Sequence, residues 1–115
     1  MCYEKGKGVS QDYQKAAKWY LKSARQGYPY TQNNIGEYYY FGYGVSQNYK
    51  EAVNWYQKAA KQGDADAQYN LGFCYKHGLG IRKNQKKAID WFLRAAEQEH
   101  SLAIEKLEEY RLKLN

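Results

Sequence analysis

The sequence contains little proline and cysteine and no long apolar run. One proline against ten glycines in 115 residues favours uninterrupted helices joined by glycine turns over a sheet-rich fold. No stretch approaches the roughly 18 apolar residues that a membrane-spanning helix needs. Residues 1–5 lack the apolar core of a secretory signal. With 43% hydrophobic and 26% charged residues, the chain is too apolar for disorder and long enough for one domain.

Many residues recur at an interval of 36, which predicts a repeat architecture. All three tryptophans of the chain follow this interval, and so do several glycines and alanines. We therefore divide the single repeat domain, 1–115, into an incomplete unit 1–30, two full units 31–66 and 67–102, and a partial unit 103–115. The recurring residues include Gly6/Gly42/Gly78, Gly8/Gly44/Gly80, Ala16/Ala52/Ala88, Trp19/Trp55/Trp91 and Ala24/Ala60/Ala96.

Each unit predicts two antiparallel helices, about seven along the chain when fragments are counted. The second helix of a unit is the clearer one, because apolar side chains recur at three- and four-residue spacing over residues 48–60. A short polar residue that can cap the free backbone N–H groups begins this helix in every unit. These residues are Asp12, Asn48 and Asn84.

Two glycine positions carry further structural predictions. Gly63 ends the second helix, since glycine enters the left-handed conformation cheaply. Glu99 stands at the equivalent place in the third unit, so we expect an irregular last turn there. The first helix is predicted to be shorter, over 67–75, and it contains Gly72, which is equivalent to Gly36. Because a glycine inside a helix costs about 1 kcal/mol relative to alanine, we expect a neighbouring helix backbone to approach closely.

The repeated residues resemble the SEL-like repeat (SLR) family, a relative of the tetratricopeptide repeats (TPR). Residues 67–98, AQYNLGFCYKHGLGIRKNQKKAIDWFLRAAEQ, match the family pattern at nearly every fixed position, and the resemblance covers almost the whole chain. It implies an all-α fold, a TPR-like right-handed α/α superhelical solenoid of antiparallel helix pairs. It also implies a scaffold or adaptor role, because members of the family assemble protein complexes.

The two ends of the chain depart from the full units. The chain enters halfway through a first helix, so we expect a piece of a longer array or a truncated product, whose N-terminal end is free to self-associate. At the other end, residues 103–115 predict a C-terminal capping helix. Glu108 replaces the glycine of Gly72, and Arg111 replaces the core tyrosine of Tyr75. The oligomeric state stays open.

No catalytic, cofactor or metal site emerges from the sequence. The glycine pair Gly78 and Gly80 lacks the third glycine and the preceding strand of a phosphate-binding motif. Cys74 and His77 share a helix face, but no further ligands complete a zinc site. Cys2 and Cys74 lie two repeats apart, too far for a disulfide, which favours a reducing intracellular compartment. We therefore predict a protein that is not an enzyme and needs no cofactor.

The aromatic residues separate into two classes. Those that follow the period, Trp19, Trp55 and Trp91 among them, are predicted to lie in the core. The others lie on first helices, which line the concave surface in tetratricopeptide stacks. There they either bind a peptide together with nearby amides or pack against the neighbouring unit. The concave face is expected to present Asn33, Asn34, Glu37, Tyr40, Phe41, Tyr69, Asn70, Phe73, Lys76 and His77.

These observations predict a protein–protein interaction scaffold that binds a peptide or protein segment on its concave face. A basic RNA-binding helical repeat is the alternative, suggested by the net charge of +6 and by the basic run 82–87. That run also fits a solvated turn and helix start, and the concave positions show no regular basic ladder, which argues against nucleic acid. A non-catalytic repeat portion of a larger enzyme or signalling protein is a third possibility.

Overall fold

The computed structural model describes residues 6–114, with side chains described over 12–112, and this part of the chain contains six helices and no strand. Each helix packs against the next across a short connection, as expected for antiparallel pairs. None of the described helices is long and apolar enough to cross a membrane. The helices are α1 (Gly6–Arg25), α2 (Pro29–Phe41), α3 (Tyr49–Lys61), α4 (Ala65–His77), α5 (Gln85–Glu97) and α6 (Ser101–Leu114).

The helix starts follow the predicted caps in two units. The side-chain oxygens of Asn48 and Asn84 each accept a 3.0 Å hydrogen bond from the backbone N–H three residues later. The prediction of a shorter first helix is wrong, since α4 and α3 both have 13 residues. α4 begins at Ala65, two residues before the predicted start, and the side chain of Asp64 caps it. It ends at His77, two residues after the predicted end, and the left-handed Gly78 follows.

The first unit departs from the other two. The sequence predicts a turn at Gly6 and Gly8 and a cap at Asp12, but α1 continues through all three residues, so both predictions are wrong. In the second unit the turn packs directly on the preceding second helix, because a Cβ on Gly44 would clash with the Tyr13 carbonyl oxygen of α1. The described residues contain no second helix before Gly8 to impose this turn. The expected helix fragment at 1–5 lies outside the described residues.

The glycines inside the first helices allow close packing. A Cβ on Gly72 would lie 2.8 Å from Cε1 of Phe92 and 3.2 Å from the Ala88 carbonyl oxygen, both on α5. In the same way, a Cβ on Gly36 would lie 2.7 Å from Cε1 of Tyr56 on α3. The predicted close approach of a neighbouring backbone is confirmed, although the aromatic ring lies nearer than the backbone does.

The three tryptophans occupy equivalent positions but differ in burial. Trp55 is 7% exposed and belongs to a core cluster that joins Ala17 of α1 to Ile35 of α2. Trp91 is half-buried, and Trp19 is 61% exposed. The core prediction is therefore wrong for Trp19. The covering helix belongs to the preceding unit, and the described residues contain no such helix before α1.

The turn after α5 reproduces the turn after α3. Gly63 has φ of +100° and its N–H donates to the Ala60 carbonyl at 3.0 Å. Glu99 has φ of +65° and its N–H donates to the Ala96 carbonyl at 2.8 Å. The expected irregular turn is therefore wrong. Glu99 adopts the left-handed conformation at a cost of about 1–2 kcal/mol, because its Cβ crowds the following carbonyl.

Buried glutamines, which the sequence analysis did not single out, join consecutive helix pairs. The Gln68 amide donates to the Ala60 carbonyl at 3.2 Å, and its oxygen accepts from the Gln98 amide at 3.1 Å. Gln32 repeats the arrangement one unit earlier and accepts from the Gln62 amide at 2.8 Å. These bonds tie the start of each first helix to the ends of two second helices. They thereby help to set how α2 and α4 lie relative to each other.

The last helix begins earlier than its sequence suggests. It starts at Ser101, two residues before the predicted start at Ala103, and it packs on α5 through the fully buried Ala103. Glu108 and Arg111 are exposed and form an ion pair of 2.7 Å. These charged side chains occupy the positions where glycine and tyrosine pack in the earlier units.

Candidate partner-binding pocket

A pocket of about 170 Å³ opens between the first helices of the two full units. We call it the α2–α4 pocket. Six of the ten residues expected on the concave face line it, and Tyr56 of α3, which was not expected there, completes it. The lining residues are Glu37, Tyr40 and Phe41 of α2, Tyr69, Asn70 and Phe73 of α4, and Tyr56.

Helical spacing brings the lining residues to one side of each helix. Glu37, Tyr40 and Phe41 are three and four residues apart on α2, and Tyr69 and Phe73 are four apart on α4, so each set shares a face. Glu37 and Phe73 hold the same repeat position, but one is a carboxylate and the other a ring, and the remaining members of the two sets hold different positions. A carboxylate therefore faces aromatic rings across the pocket.

The polar wall of the pocket centres on the carboxylate of Glu37. The Asn70 amide donates to Oε2 of Glu37 at 3.4 Å and to the oxygen of the nearly buried Asn33 at 3.0 Å. Burial raises the pKa of Glu37; the Asn70 hydrogen bond opposes this, and the charges of Asp66 and Asp64 add to it. No ion pair joins Glu37 to a basic side chain within residues 12–112.

The aromatic walls are held by contacts of their rings with one another and with His100. Tyr40 packs edge-on against Phe41, with ring centroids 4.8 Å apart. Tyr69 stacks on the ring of His100 at 5.0 Å and lies 6.3 Å from Phe73. Burial raises the pKa of Tyr40 and of Tyr69, so both hydroxyls stay neutral at physiological pH. The rings therefore present largely fixed apolar surfaces to the pocket.

The other expected concave residues lie outside the pocket. Lys76 points toward α6, where its Nζ lies 3.4 Å from Oε1 of Glu109. His77 is exposed, with its ring 4.4 Å from that of Phe73. Asn34 is partly buried, and its amide nitrogen has no hydrogen-bond partner among the described residues. Asn33 supports Asn70 from beneath the surface, as described above.

Potential metal ligands do not assemble in the described part of the chain. Within it, no three His, Cys, Asp or Glu residues converge as a metal site would require. Cys74 is a free, buried thiol, and burial raises its pKa to about 12, which makes it a poor nucleophile. Cys2 lies outside the described residues. The basic run 82–87 forms an exposed loop and the first turn of α5, as predicted for a solvated segment.

Comparison with known proteins identifies the repeats. The family model of the Sel1 repeat matches residues 1–28, 29–64 and 65–100. No curated protein matches the sequence.

Several solved structures are similar to this fold. A protective antigen with an SLR fold from uropathogenic Escherichia coli is 38% identical with a TM-score of 0.83, over 90% of this chain and 22% of that protein. A Sel1 repeat protein from Oxalobacter formigenes is 44% identical with a TM-score of 0.79, over 84% of this chain and 38% of that protein. Cysteine-rich protein B of Helicobacter pylori is 26% identical with a TM-score of 0.74, over 79% of this chain and 68% of that protein.

These comparisons identify the fold as the predicted all-α, TPR-like solenoid. The chain spans about a fifth of the length of the Escherichia coli antigen and about two fifths of that of the Oxalobacter protein.

Proposed function

We propose that this chain, which belongs to the Sel1 repeat family, binds a peptide or protein segment along the face formed by α2 and α4. Sel1 repeats are commonly protein-interaction modules and generally non-catalytic scaffolds. The observation that carries the proposal is the α2–α4 pocket, in which aromatic rings from three helices surround one carboxylate. The chain then acts as an adaptor that anchors one segment of its partner there.

The size of the pocket favours a side chain over a free small molecule. Small-molecule sites usually enclose about 300–1,000 Å³, whereas this pocket has about 170 Å³. Tyrosine and phenylalanine provide large contact area with few rotatable bonds, so they bind at low entropic cost. A single anchoring side chain of a longer segment fits these dimensions.

The surface beside the pocket favours a protein over a nucleic acid. The charge at the pocket wall is the carboxylate of Glu37, which repels phosphate, and Asp64 and Asp66 lie close enough to raise its pKa. The basic run 82–87 lies in the loop before α5 and in the first turn of α5, and none of its residues lines the pocket. A nucleic-acid strand along this face would meet negative charge at its centre.

Peptide selection with matched variants tests the proposal. Phe41 and Tyr30 are both exposed aromatics on α2, but only Phe41 lines the pocket. Displayed random peptides would be selected on the wild-type chain and their affinities measured by fluorescence anisotropy. We expect Phe41→Ala to weaken binding at least tenfold, about 1.4 kcal/mol. Tyr30→Ala should leave affinity within twofold.

Circular dichroism should give wild-type helicity for both variants, so that a loss of binding is not a loss of fold. Equal binding by wild type and Phe41→Ala, or no enrichment of any peptide, would remove the pocket from the proposal.

A further inference from the structure

The chain contains two inter-helix positions that are equivalent in the repeat but differ in charge. The residues 36 positions after Tyr40, Asn70 and Phe73 of the α2–α4 pocket are Lys76, Lys106 and Glu109, respectively. These three residues lie where α4 meets α6. There the carboxylate of Glu109 lies 3.4 Å from Nζ of Lys76 and 3.7 Å from Nζ of Lys106. Lys106 and Lys76 lower the pKa of Glu109. At this position the chain supplies its own cations.

The aromatic rings beside that position also contact the lysines. Nζ of Lys76 lies 5.3 Å from the ring centre of Tyr110, and Nζ of Lys106 lies 5.9 Å from that of Phe73. A positive charge over an aromatic face is attracted by the electron-rich ring. The α4–α6 position thus shows how this scaffold holds an ammonium group between rings and a carboxylate.

The α2–α4 pocket has the rings and the carboxylate without the cation. Within residues 12–112 no basic side chain pairs with Glu37, whose side-chain hydrogen bond is the 3.4 Å contact from Asn70. Burial raises the pKa of Glu37, so its ionised form is poorly stabilised. An apolar ligand would deepen that burial and leave the charge unpaired, which is costly.

We propose, on the basis of the proposed function above, that the α2–α4 pocket takes a lysine or arginine side chain of the bound peptide. The aliphatic stem packs against Tyr40, Tyr69 and Phe73, and the cationic head pairs with Glu37. Asp64 and Asp66 make the surroundings of Glu37 negative, although the whole chain carries +6. The local charge therefore attracts a basic segment that the net charge alone would repel.

Peptide libraries with one fixed position test this inference. Four libraries of nine-residue peptides would carry Lys, Arg, Leu or Glu at the centre and random residues elsewhere. Each would be bound to wild type, to Glu37→Gln and to the control Glu97→Gln, an exposed residue of α5 that changes the net charge equally. On wild type and the control we expect at least tenfold enrichment of the Lys or Arg library over the Leu library. On Glu37→Gln the ratio should fall below two.

A second variant supplies the cation from within. Asn70→Lys copies the residue found one repeat later, Lys106, and places an ammonium group beside Glu37. We expect it to lose the preference for Lys and Arg, as Glu37→Gln does. Its thermal unfolding, followed by circular dichroism, would establish that it folds.

The outcomes separate the two proposals. If binding depends on Phe41 but the Leu library is enriched as strongly as the Lys and Arg libraries on wild type, the basic-side-chain inference is wrong and the peptide-binding function stands. If the preference survives in Glu37→Gln, the cation lies elsewhere and the inference is also wrong. If no library binds in a Phe41-dependent way, the proposed function itself is wrong.

Discussion

Replacing Gly72 by alanine tests how tightly the helix pairs are packed. The new Cβ would lie 2.8 Å from Cε1 of Phe92, which is 0.6 Å inside the 3.4 Å at which ordinary contact begins. The ring cannot withdraw easily, because Phe92 is 0% exposed. The Ala88 carbonyl oxygen, a backbone atom of α5, lies 3.2 Å from the same Cβ and also resists the added methyl group.

Two effects of opposite sign decide the result. Alanine in a helix is favoured over glycine by up to about 1 kcal/mol, while overpacking a close-packed core typically costs about 1–3 kcal/mol. Since both the ring and a backbone carbonyl of α5 resist displacement, we expect overpacking to dominate. Gly72→Ala should lower the free energy of unfolding by about 1–2 kcal/mol. For a chain of this size the melting temperature then falls by about 4–8 °C.

Urea unfolding followed by circular dichroism at 222 nm measures this change. The same substitution in a Phe92→Leu background is the control, because Cε1 and the rest of the ring edge are then missing. There the helix propensity of alanine should remain and the penalty should shrink or vanish. A Gly72→Ala protein at least as stable as wild type, with Phe92 present, would refute the packing argument.

Two further substitutions are predicted to stabilise the chain. Glu99→Gly should raise the free energy of unfolding by about 0.5–1 kcal/mol in urea titrations, because relief of the left-handed strain exceeds the added entropy of the unfolded chain; a loss of stability would contradict this. The raised pKa of Glu37 means that its protonated form favours folding, a contribution present below the unfolded pKa and lost as pH rises through the folded pKa. Glu37→Gln should therefore have the melting temperature of wild type near pH 3 and a higher one at pH 7. An equal difference in melting temperature at both pH values would exclude this titration.

The period of 36 predicts the fold because most of its structural contacts repeat. Asn48 and Asn84 cap their helices at the same distance, and Gly72 admits a neighbouring ring as Gly36 does. The predictions that fail concern residues whose partners lie in another unit. Trp19 has the same local sequence context as Trp55, yet it is exposed because burial there comes from a preceding helix. The residues around a tryptophan therefore do not reveal whether a helix of the preceding unit covers it.

The candidate site is only partly predictable for a related reason. The face of each first helix follows from spacing, which is how Glu37 and Phe73 could be identified. Tyr56 was missed because it recurs at the 36-residue interval, which predicts a core residue. Its equivalent in the next unit is Phe92, so the hydroxyl of Tyr56 could have indicated contact with a polar surface. The direction of Lys76 could not be inferred, because its partner Glu109 lies 33 residues away on another helix.

The repeat separates the structural positions from those that we propose for binding. The packing glycines and the capping asparagines stay constant between the full units, so they define the scaffold. The equivalent positions Glu37, Phe73 and Glu109 change from carboxylate to ring to carboxylate along the same face. Their neighbours decide the consequence: Glu109 has lysines beside it, whereas Glu37 has an amide and aromatic rings. Because the backbone geometry is shared, this difference in charge balance is the reason we propose that a partner contributes a cation to the α2–α4 pocket.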